Sequence, residues 1–329
     1  MRIFVTGGTG FIGGHLVHKL LARGDSVVAL ARNPASSAAQ SLQAAGAIVV
    51  PGDVTDRDSM REGMDRAEVV YHVAGWYKVG VRDKSPAYAV NIEGTRNTIG
   101  LAVELGVPRI VYVSTMAVFG NTGGRTVEPV VAERDDWLSE YDRTKYLAHK
   151  VADEFIEGGA PVVIGAPGLV YGPDDPSTVG QLIRLLLRRQ LPALPGAKVS
   201  GGTWVHVEDV ADGLIAAAEK GQPGTIYPLG RDRITHEEAV RLVEEVSGVR
   251  MPVLLGPGPV PLMIALMSVV AALVPVPEHY HPETLAQLNG MTWWVSDERT
   301  RQELGFNPRP YEEGLRETVL YEMDKLGLR

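Results

Sequence analysis

The chain has 329 residues, enough for about two hydrophobic cores, and its 45% hydrophobic and 22% charged content is that of an ordinary globular protein. A net charge of −8 argues against a general binder of nucleic acid or anionic membrane, since both require a basic surface. With no cysteine there is no disulfide frame, thiolate nucleophile or cysteine-held metal; the chain opens directly on a strand, leaving no room for a signal peptide, so a cytoplasmic location is expected.

Residues 1–5 read as a short buried strand and residues 15–24 as a helix closed by Gly24. Between them lies Thr6-Gly7-Gly8-Thr9-Gly10-Phe11-Ile12-Gly13. Glycines in such a turn admit backbone angles closed to other residues and let a pyrophosphate approach the main chain. The following helix directs its free N–H groups and positive dipole end at that anion. A strand before and a helix after are the context a dinucleotide turn requires, and this stretch has both. The alternative is a tight strand–helix turn without a ligand.

Residues 26–30 form a second strand, whose end selects the cofactor. An acidic residue there would take the adenosine ribose hydroxyls and favour NAD. This chain has Ala31 and then Arg32, which can fork onto a ribose 2′-phosphate. NADP(H) is therefore favoured, NAD(H) being the alternative if Arg32 is only a solvated loop residue. Residues 47–50 form a third strand running into Asp53 and Val54. Asp53 can accept from the adenine amino group with Val54 against the ring, or simply cap a turn before a helix starting at Thr55-Asp56. Residues 69–75 form a fourth strand ending in Val73, Ala74 and Gly75, small enough for close approach of a dinucleotide. Trp76 and Tyr77 follow and are candidate walls of a substrate site. A fifth strand, 110–113, ends in Ser114-Thr115. Strands alternating with helical stretches predict an α/β fold with a doubly wound parallel sheet.

Tyr141 and Lys145 stand four apart in a helical pattern that continues to about Glu157, so they address one point. A phenol near neutrality is a poor acid or base, and a neighbouring ammonium pulls its pKa down. A hydroxyl from Thr115 or Ser114 can hold a substrate oxygen beside it. The set suits proton movement at a carbonyl or alcohol oxygen while a nicotinamide moves a hydride.

These motifs, in this order, resemble those of the extended short-chain dehydrogenase/reductases, the epimerase/dehydratase-like group. The likeness takes in the glycine turn, Asp53-Val54, His72-Val73-Ala74-Gly75 and Val90-Asn91-Ile92-Glu93-Gly94-Thr95-Arg96-Asn97. It continues through Ser114 to Gly120, Tyr141 with Lys145, Pro167-Gly168-Leu169-Val170-Tyr171-Gly172-Pro173, and His206-Val207-Glu208-Asp209-Val210-Ala211. The resemblance implies a triad of Thr115, Tyr141 and Lys145, with Ser114 as fallback for the hydroxyl. It implies that Lys145 bonds the nicotinamide ribose, that Pro167 and Val170 lie beside the nicotinamide, and that Asn91 sits on a helix near the active centre or braces it. Tyr171 joins Trp76, Tyr77 and Ser114 as a candidate substrate contact. Within the group the chain is most similar to dihydroflavonol-reductase-like and hydroxysteroid-dehydrogenase-like members. Nucleotide-sugar epimerases often carry an Arg just before the segment matching 204–209, where this chain has Gly201-Gly202-Thr203. Arg299 and Arg301 are expected on a solvated helix face. Many relatives pair as dimers through the helices carrying Asn91 and Tyr141, so a homodimer is expected.

In family terms the dinucleotide-binding domain spans 1–172 and 203–229, and a smaller, discontinuous substrate lobe spans 173–202 and 230–329. His206 is expected to be packed rather than catalytic. Residues 251–277 carry no charge, but their prolines confine a helix to about 262–274. That is about 20 Å, short of a ~30 Å hydrocarbon core, so stable membrane insertion is not expected. A buried helix capping an apolar pocket is expected instead, with peripheral membrane contact as the alternative. The whole reads as an NADP(H)-dependent oxidoreductase acting on a ketone, an aldehyde or the matching alcohol of a small apolar or aromatic molecule. A sugar or nucleotide-sugar epimerase or dehydratase retaining NAD is one alternative, and a non-catalytic dinucleotide sensor is another.

Overall fold

A computed structural model describes residues 1–78 and 83–329. Its strands in chain order are β1 (Arg2–Thr6), β2 (Ser26–Ala31), β3 (Ile48–Pro51), β4 (Val69–His72), β5 (Ile110–Val113), β6 (Val162–Pro167), β7 (Leu169–Tyr171), β8 (Ala193–Pro195), β9 (Gly201–His206), β10 (Ile226–Leu229), β11 (Asp232–Thr235), β12 (Val253–Leu255) and β13 (Thr292–Trp293). Seven of them form a parallel sheet in the order β10-β6-β5-β4-β1-β2-β3. The chain starts at the centre, winds out to β3, then returns to β4 on the other side of β1. Strand order therefore reverses between β1 and β4, and a crevice opens beyond their carboxyl ends.

The alternation along β1 and β2 shows why the sheet is covered on both faces. Ile3, Val5, Val27 and Ala29 enter one core, with Leu16, Val17 and Leu20 of the helix Phe11–Ala22 and with Leu214 of the helix Val207–Lys220. Phe4, Val28 and Val70 enter the other, with Met60, Ile99 and Ala148. A third core, built around Trp204, Ile183, Val240 and Leu315, lies off this sheet. It packs around β9, which pairs with β7, β11 and β13. Residues 203–206 thus pair in the second sheet, and the helix Val207–Lys220 and β10 return the chain to the first.

Local boundaries differ from expectation where side chains compete with the backbone. β4 stops at His72, and Val73 and Ala74 instead donate to the carbonyl and hydroxyl of Thr6, at 3.2 and 3.3 Å. The helix expected at Thr55 is delayed to Asp58, because the Thr55 N–H and hydroxyl both donate to the Asp53 carboxylate at 2.9 Å. The helix Val260–Leu273 forms as expected, but it is not buried: only Val260 is fully buried, Met263, Ile264, Met267, Val270 and Ala271 are half-buried, and Leu262 and Leu273 are 75% and 76% exposed. One side of it meets the helix Pro282–Gln287, and none of its residues lines the crevice beyond β1 and β4. No helix among the described residues is long and apolar enough to cross a membrane.

Gly13 and Gly14 follow one another in the first helix under opposite constraints. A Cβ on Gly13 would stand 2.1 Å from the Gly7 carbonyl oxygen, whereas on Gly14 the nearest atom would be 3.6 Å away. Gly13→Ala should therefore destabilise by about 1–3 kcal/mol through overpacking. Gly14→Ala should stabilise by about 0.5–1 kcal/mol through helix propensity. Urea unfolding of the two variants reads both signs.

Candidate active site

The crevice at the strand reversal is a cleft of about 490 Å³. Its floor is the glycine turn. Gly7 has φ +73°, and a Cβ there would lie 2.5 Å from the Ala74 nitrogen, so this turn meets the end of β4 backbone to backbone. Gly10 caps the first helix with no side chain on its N–H groups, which leaves them directed at the cleft. A bare N-terminus and a surface without Cβ atoms fit a pyrophosphate.

Every residue expected at the dinucleotide except Pro167 lines this cleft: Gly7, Gly10, Phe11, Ile12, Gly13, Arg32, Asp53, Val54, Val73, Ala74, Gly75, Lys145 and Val170. Pro167 is buried in β6 and does not reach it. Arg32 is exposed at the end of β2 and makes no ion pair or hydrogen bond among the described residues. Asp53 is engaged by Thr55 as an Asx turn, yet it also faces the cleft.

The helix Glu140–Glu157 supplies Tyr141 and Lys145. Ser139 caps it by accepting from the Asp142 N–H at 3.1 Å. Arg134 pairs with the buried Asp142 at 2.9 Å and donates to the Ala117 carbonyl at 3.1 Å, tying this helix to the turn that carries Thr115. The two candidate hydroxyls part company here. Ser114 lines the cleft but is bonded to His149 Nδ1 at 2.8 Å, while Thr115 sits beside the Tyr141 phenol and is not itself among the cleft-lining residues. Burial raises the phenol above its ordinary value, the Thr115 hydroxyl opposes the rise, and the Asp142 charge adds to it. The expected lowering by Lys145 is therefore not found. The Lys145 ammonium is bonded to the Val113 carbonyl at 3.0 Å and stands 5.3 Å from the centre of the Tyr112 ring. Burial lowers it to about 8.

Histidines around Lys145 are kept neutral. Burial first, then the Lys145 charge, lowers His72 to about 3, and burial with Lys145 and Lys150 does the same to His149. His72 bridges Thr6 at 2.8 Å and Thr95 at 3.0 Å. Asn91 lies within a π-helical turn and is buried. Its amide accepts from the Trp76 N–H at 2.7 Å and donates to the Trp76 carbonyl at 3.0 Å and to Thr144 at 2.9 Å. It thereby braces the cleft rim against the helix of Tyr141.

Trp76, Tyr77 and Ser114 line the cleft, but Tyr171 does not. Tyr171 is fully buried, its hydroxyl donates to the Tyr311 carbonyl at 3.4 Å, and its ring packs on Trp204 and His206. Strand alternation explains this: neighbouring Val170 faces the cleft, so Tyr171 faces away. His206 is packed as expected, accepting from the Glu208 N–H at 3.3 Å. Arg299 and Arg301 pair on the surface with Glu303 and Asp297. Sequence reasoning missed Asp175, Pro176 and Ser177, which close the cleft from the far side. Asp175 accepts from the Ser177 N–H and hydroxyl and the Gly180 N–H at 2.8–2.9 Å. Asp-Pro-Ser before an amphipathic helix is a helix-start signal, which marked the loop but not its neighbour.

A glycine-floored crevice at a strand reversal, with Tyr141 and Lys145 on its wall, defines a nicotinamide dinucleotide-dependent enzyme of the short-chain dehydrogenase/reductase type. Residues 3–230 match the NAD dependent epimerase/dehydratase family, and the chain belongs to it. It is 31% identical to a Synechocystis sp. protein named as a candidate dihydroflavonol 4-reductase, over 96% of this chain and 93% of that one. It is 30% identical to the 4-hydroxy-2-methyl-3-oxo-4-farnesyl-3,4-dihydroquinoline-1-oxide ketoreductase of Stigmatella aurantiaca, over 96% and 95%. A 3 beta-hydroxysteroid dehydrogenase/Delta 5-->4-isomerase of Mycobacterium tuberculosis is 28% identical over 78% of this chain and 72% of its own. Among solved structures, the dTDP-glucose 4,6-dehydratase of Streptomyces venezuelae with NAD and TYD bound shares the fold, with TM-score 0.80, 23% identity and coverage of 100% and 98%.

The lowered pKa of Lys145 has a thermodynamic consequence. The unfolded chain holds this proton up to about 10.5 and the folded chain only to about 8, so charge on Lys145 opposes folding. The penalty is full below pH 8, roughly 3–4 kcal/mol at ~1.4 kcal/mol per unit, and fades as pH rises towards 10.5. Lys145→Met also gives up the bond to Val113, so a net gain of roughly 1–2 kcal/mol is expected at neutral pH. Urea unfolding should show that gain shrinking between pH 8 and 10.5.

Proposed function

We propose that the protein is an NADP(H)-dependent reductase of a ketone or aldehyde on an apolar or aromatic molecule. The observation that carries this is a buried phenol, Tyr141, on the wall of the glycine cleft, with Lys145 one helical turn further on and the Thr115 hydroxyl beside it. The glycine turn and the N-terminus of the first helix would hold the pyrophosphate, Arg32 the 2′-phosphate, and Lys145 the nicotinamide ribose. When bound, the nicotinamide supplies the hydride. The substrate oxygen accepts hydrogen bonds from Tyr141 and Thr115. Tyr141 gives up its proton to that oxygen as negative charge develops there. A buried, protonated phenol can donate to the oxygen of a ketone undergoing reduction.

Two further observations support a reductase over a nucleotide-sugar epimerase. Gly201 and Gly202 pack where a Cβ would stand 2.3 Å from the Ile234 oxygen and 2.6 Å from Leu169, and Thr203 is buried against the Trp293 carbonyl at 2.8 Å. A side chain at Gly201 would displace β11, and one at Gly202 would displace Leu169 of β7. Trp76, Tyr77 and Val170 make the substrate end aromatic and apolar, and two relatives are named for a farnesyl-bearing quinoline oxide and a hydroxysteroid.

Tyr141→Phe should keep NADPH affinity within about twofold and lower turnover of a ketone panel by about 10²–10⁴. Undiminished turnover removes Tyr141 from the chemistry. Arg32→Asp should weaken NADPH by about 10–100-fold, the loss of a charge-assisted fork, and spare NADH. Equal effects on both dinucleotides, read by fluorescence titration, would show that Arg32 does not contact the 2′-phosphate.

A further inference from the structure

The helix Val260–Leu273 is the largest feature that the cleft chemistry leaves unused. Leu262, Leu266, Val269 and Leu273 recur at helical spacing and are 75%, 62%, 62% and 76% exposed. No charged residue occurs from Met251 through Pro277. The exposed positions are not a stripe with a polar border: Pro261, Ala265 and Ala272 extend them around the helix.

The helix has also shed its polar groups. Pro261 has no N–H, the Val260 N–H donates to Pro257 and the Met263 N–H to Pro259, both at 3.0 Å. Leu262 is left as the one first-turn N–H without a backbone acceptor. The single hydroxyl, Ser268, donates back to the Ile264 carbonyl at 2.8 Å. Few polar groups are thus left to solvate at the amino end, which lowers the cost of an apolar surrounding there; of the last-turn carbonyls, Val270 is the one with a backbone donor among the described residues.

We propose that this helix lies in the surface of a lipid bilayer, with Leu262, Leu266, Val269 and Leu273 among the acyl chains. Fourteen residues give about 21 Å, too short to span ~30 Å, so the helix lies along the interface while the rest of the protein stays in water. A second copy of the chain fits less well. Stable dimer interfaces carry a polar rim and about one hydrogen bond per 100–200 Å², whereas this stretch has no charged residue and its one helical hydroxyl, Ser268, is bonded to its own backbone.

The bilayer face adjoins the cleft. Residues 274–277 lead from the helix into Glu278, which accepts from Thr178 at 2.5 Å and Gln181 at 3.3 Å. Thr178 follows Ser177 of the cleft rim, and the Glu278 charge is felt at Tyr77. An apolar substrate dissolved in the bilayer would thus enter beside Tyr77, a point that rests on the reductase reading. Vesicle binding is read without turnover and stands or falls independently of it.

The test is flotation of the full-length protein with phosphatidylcholine vesicles. The wild type should float, and added salt should change little, because the attraction is apolar. The variant Leu262→Glu/Leu266→Glu/Val269→Glu should lose more than about tenfold in partition while keeping its melting temperature and NADPH affinity. Because the chain has no cysteine, Leu266→Cys can carry a polarity-sensitive dye. Its emission should shift to the blue on vesicles, and that of Asp65→Cys, at the opposite end of the first sheet, should not. A wild type that stays with the aqueous phase overturns the proposal. So does a triple variant that floats like the wild type, or one whose only change is a dimer turned monomer in sedimentation.

Discussion

The fold and its cleft both depend on one contact made without side chains: the Gly7 turn lying against the backbone of Ala74. A Cβ at Gly7 would overlap the Ala74 nitrogen, and one at Gly13 would overlap the Gly7 carbonyl. Three backbone segments therefore meet at distances that only glycine permits. The same contact sets β1 beside β4 and strips the crevice floor of side chains. Fold and binding surface are thus not separate achievements of this sequence. A residue that obstructed the crevice would also push apart the two strands at the sheet's reversal.

Above that floor, buried polar groups do the positioning. His72 links Thr6 to Thr95, and Asn91 links Trp76 to Thr144, so β1, β4 and the helix Glu140–Glu157 are joined by short hydrogen bonds. Such a network holds side chains in place only if each member stays in one protonation state. Burial secures this by keeping His72 and His149 neutral at physiological pH. The nearby charge is then left to Lys145, whose ammonium has one carbonyl partner and a ring face in exchange for water.

How much of this was legible in the sequence varies with the physics involved. The central strands were readable because a parallel sheet buried on both faces needs continuous apolar runs, as in residues 69–70 and 110–113. The glycine turn was readable because its constraint is local. The choice between Ser114 and Thr115 was not, since it turns on which hydroxyl a distant His149 captures. Tyr171 misled for a related reason: alternation fixes that it opposes Val170 but does not say which of the two faces the cleft. Asp175 to Ser177 were missed because their place opposite the glycine turn is set by the second sheet. The helix Val260–Leu273 was misjudged because an apolar composition was taken to imply burial, and burial needs a covering surface that the chain does not supply.

The electrostatics of the cleft run against those of the whole molecule. The chain carries −8, yet among the described residues Arg32, Lys78 and Lys145 line the cleft with Asp53 and Asp175 opposing them. Those two carboxylates already accept from Thr55 and from Ser177 and Gly180. Each keeps its charge but is fixed in a local turn, whereas Arg32 makes no hydrogen bond or ion pair among the described residues. At ionic strengths where charges beyond about 8–10 Å are screened, the local balance governs what the cleft attracts. An anion entering the cleft therefore meets three cations and two carboxylates rather than the net charge of the protein. Burial of Lys145 sharpens the preference, because a desolvated ammonium regains the most when a negative or strongly polar group arrives beside it.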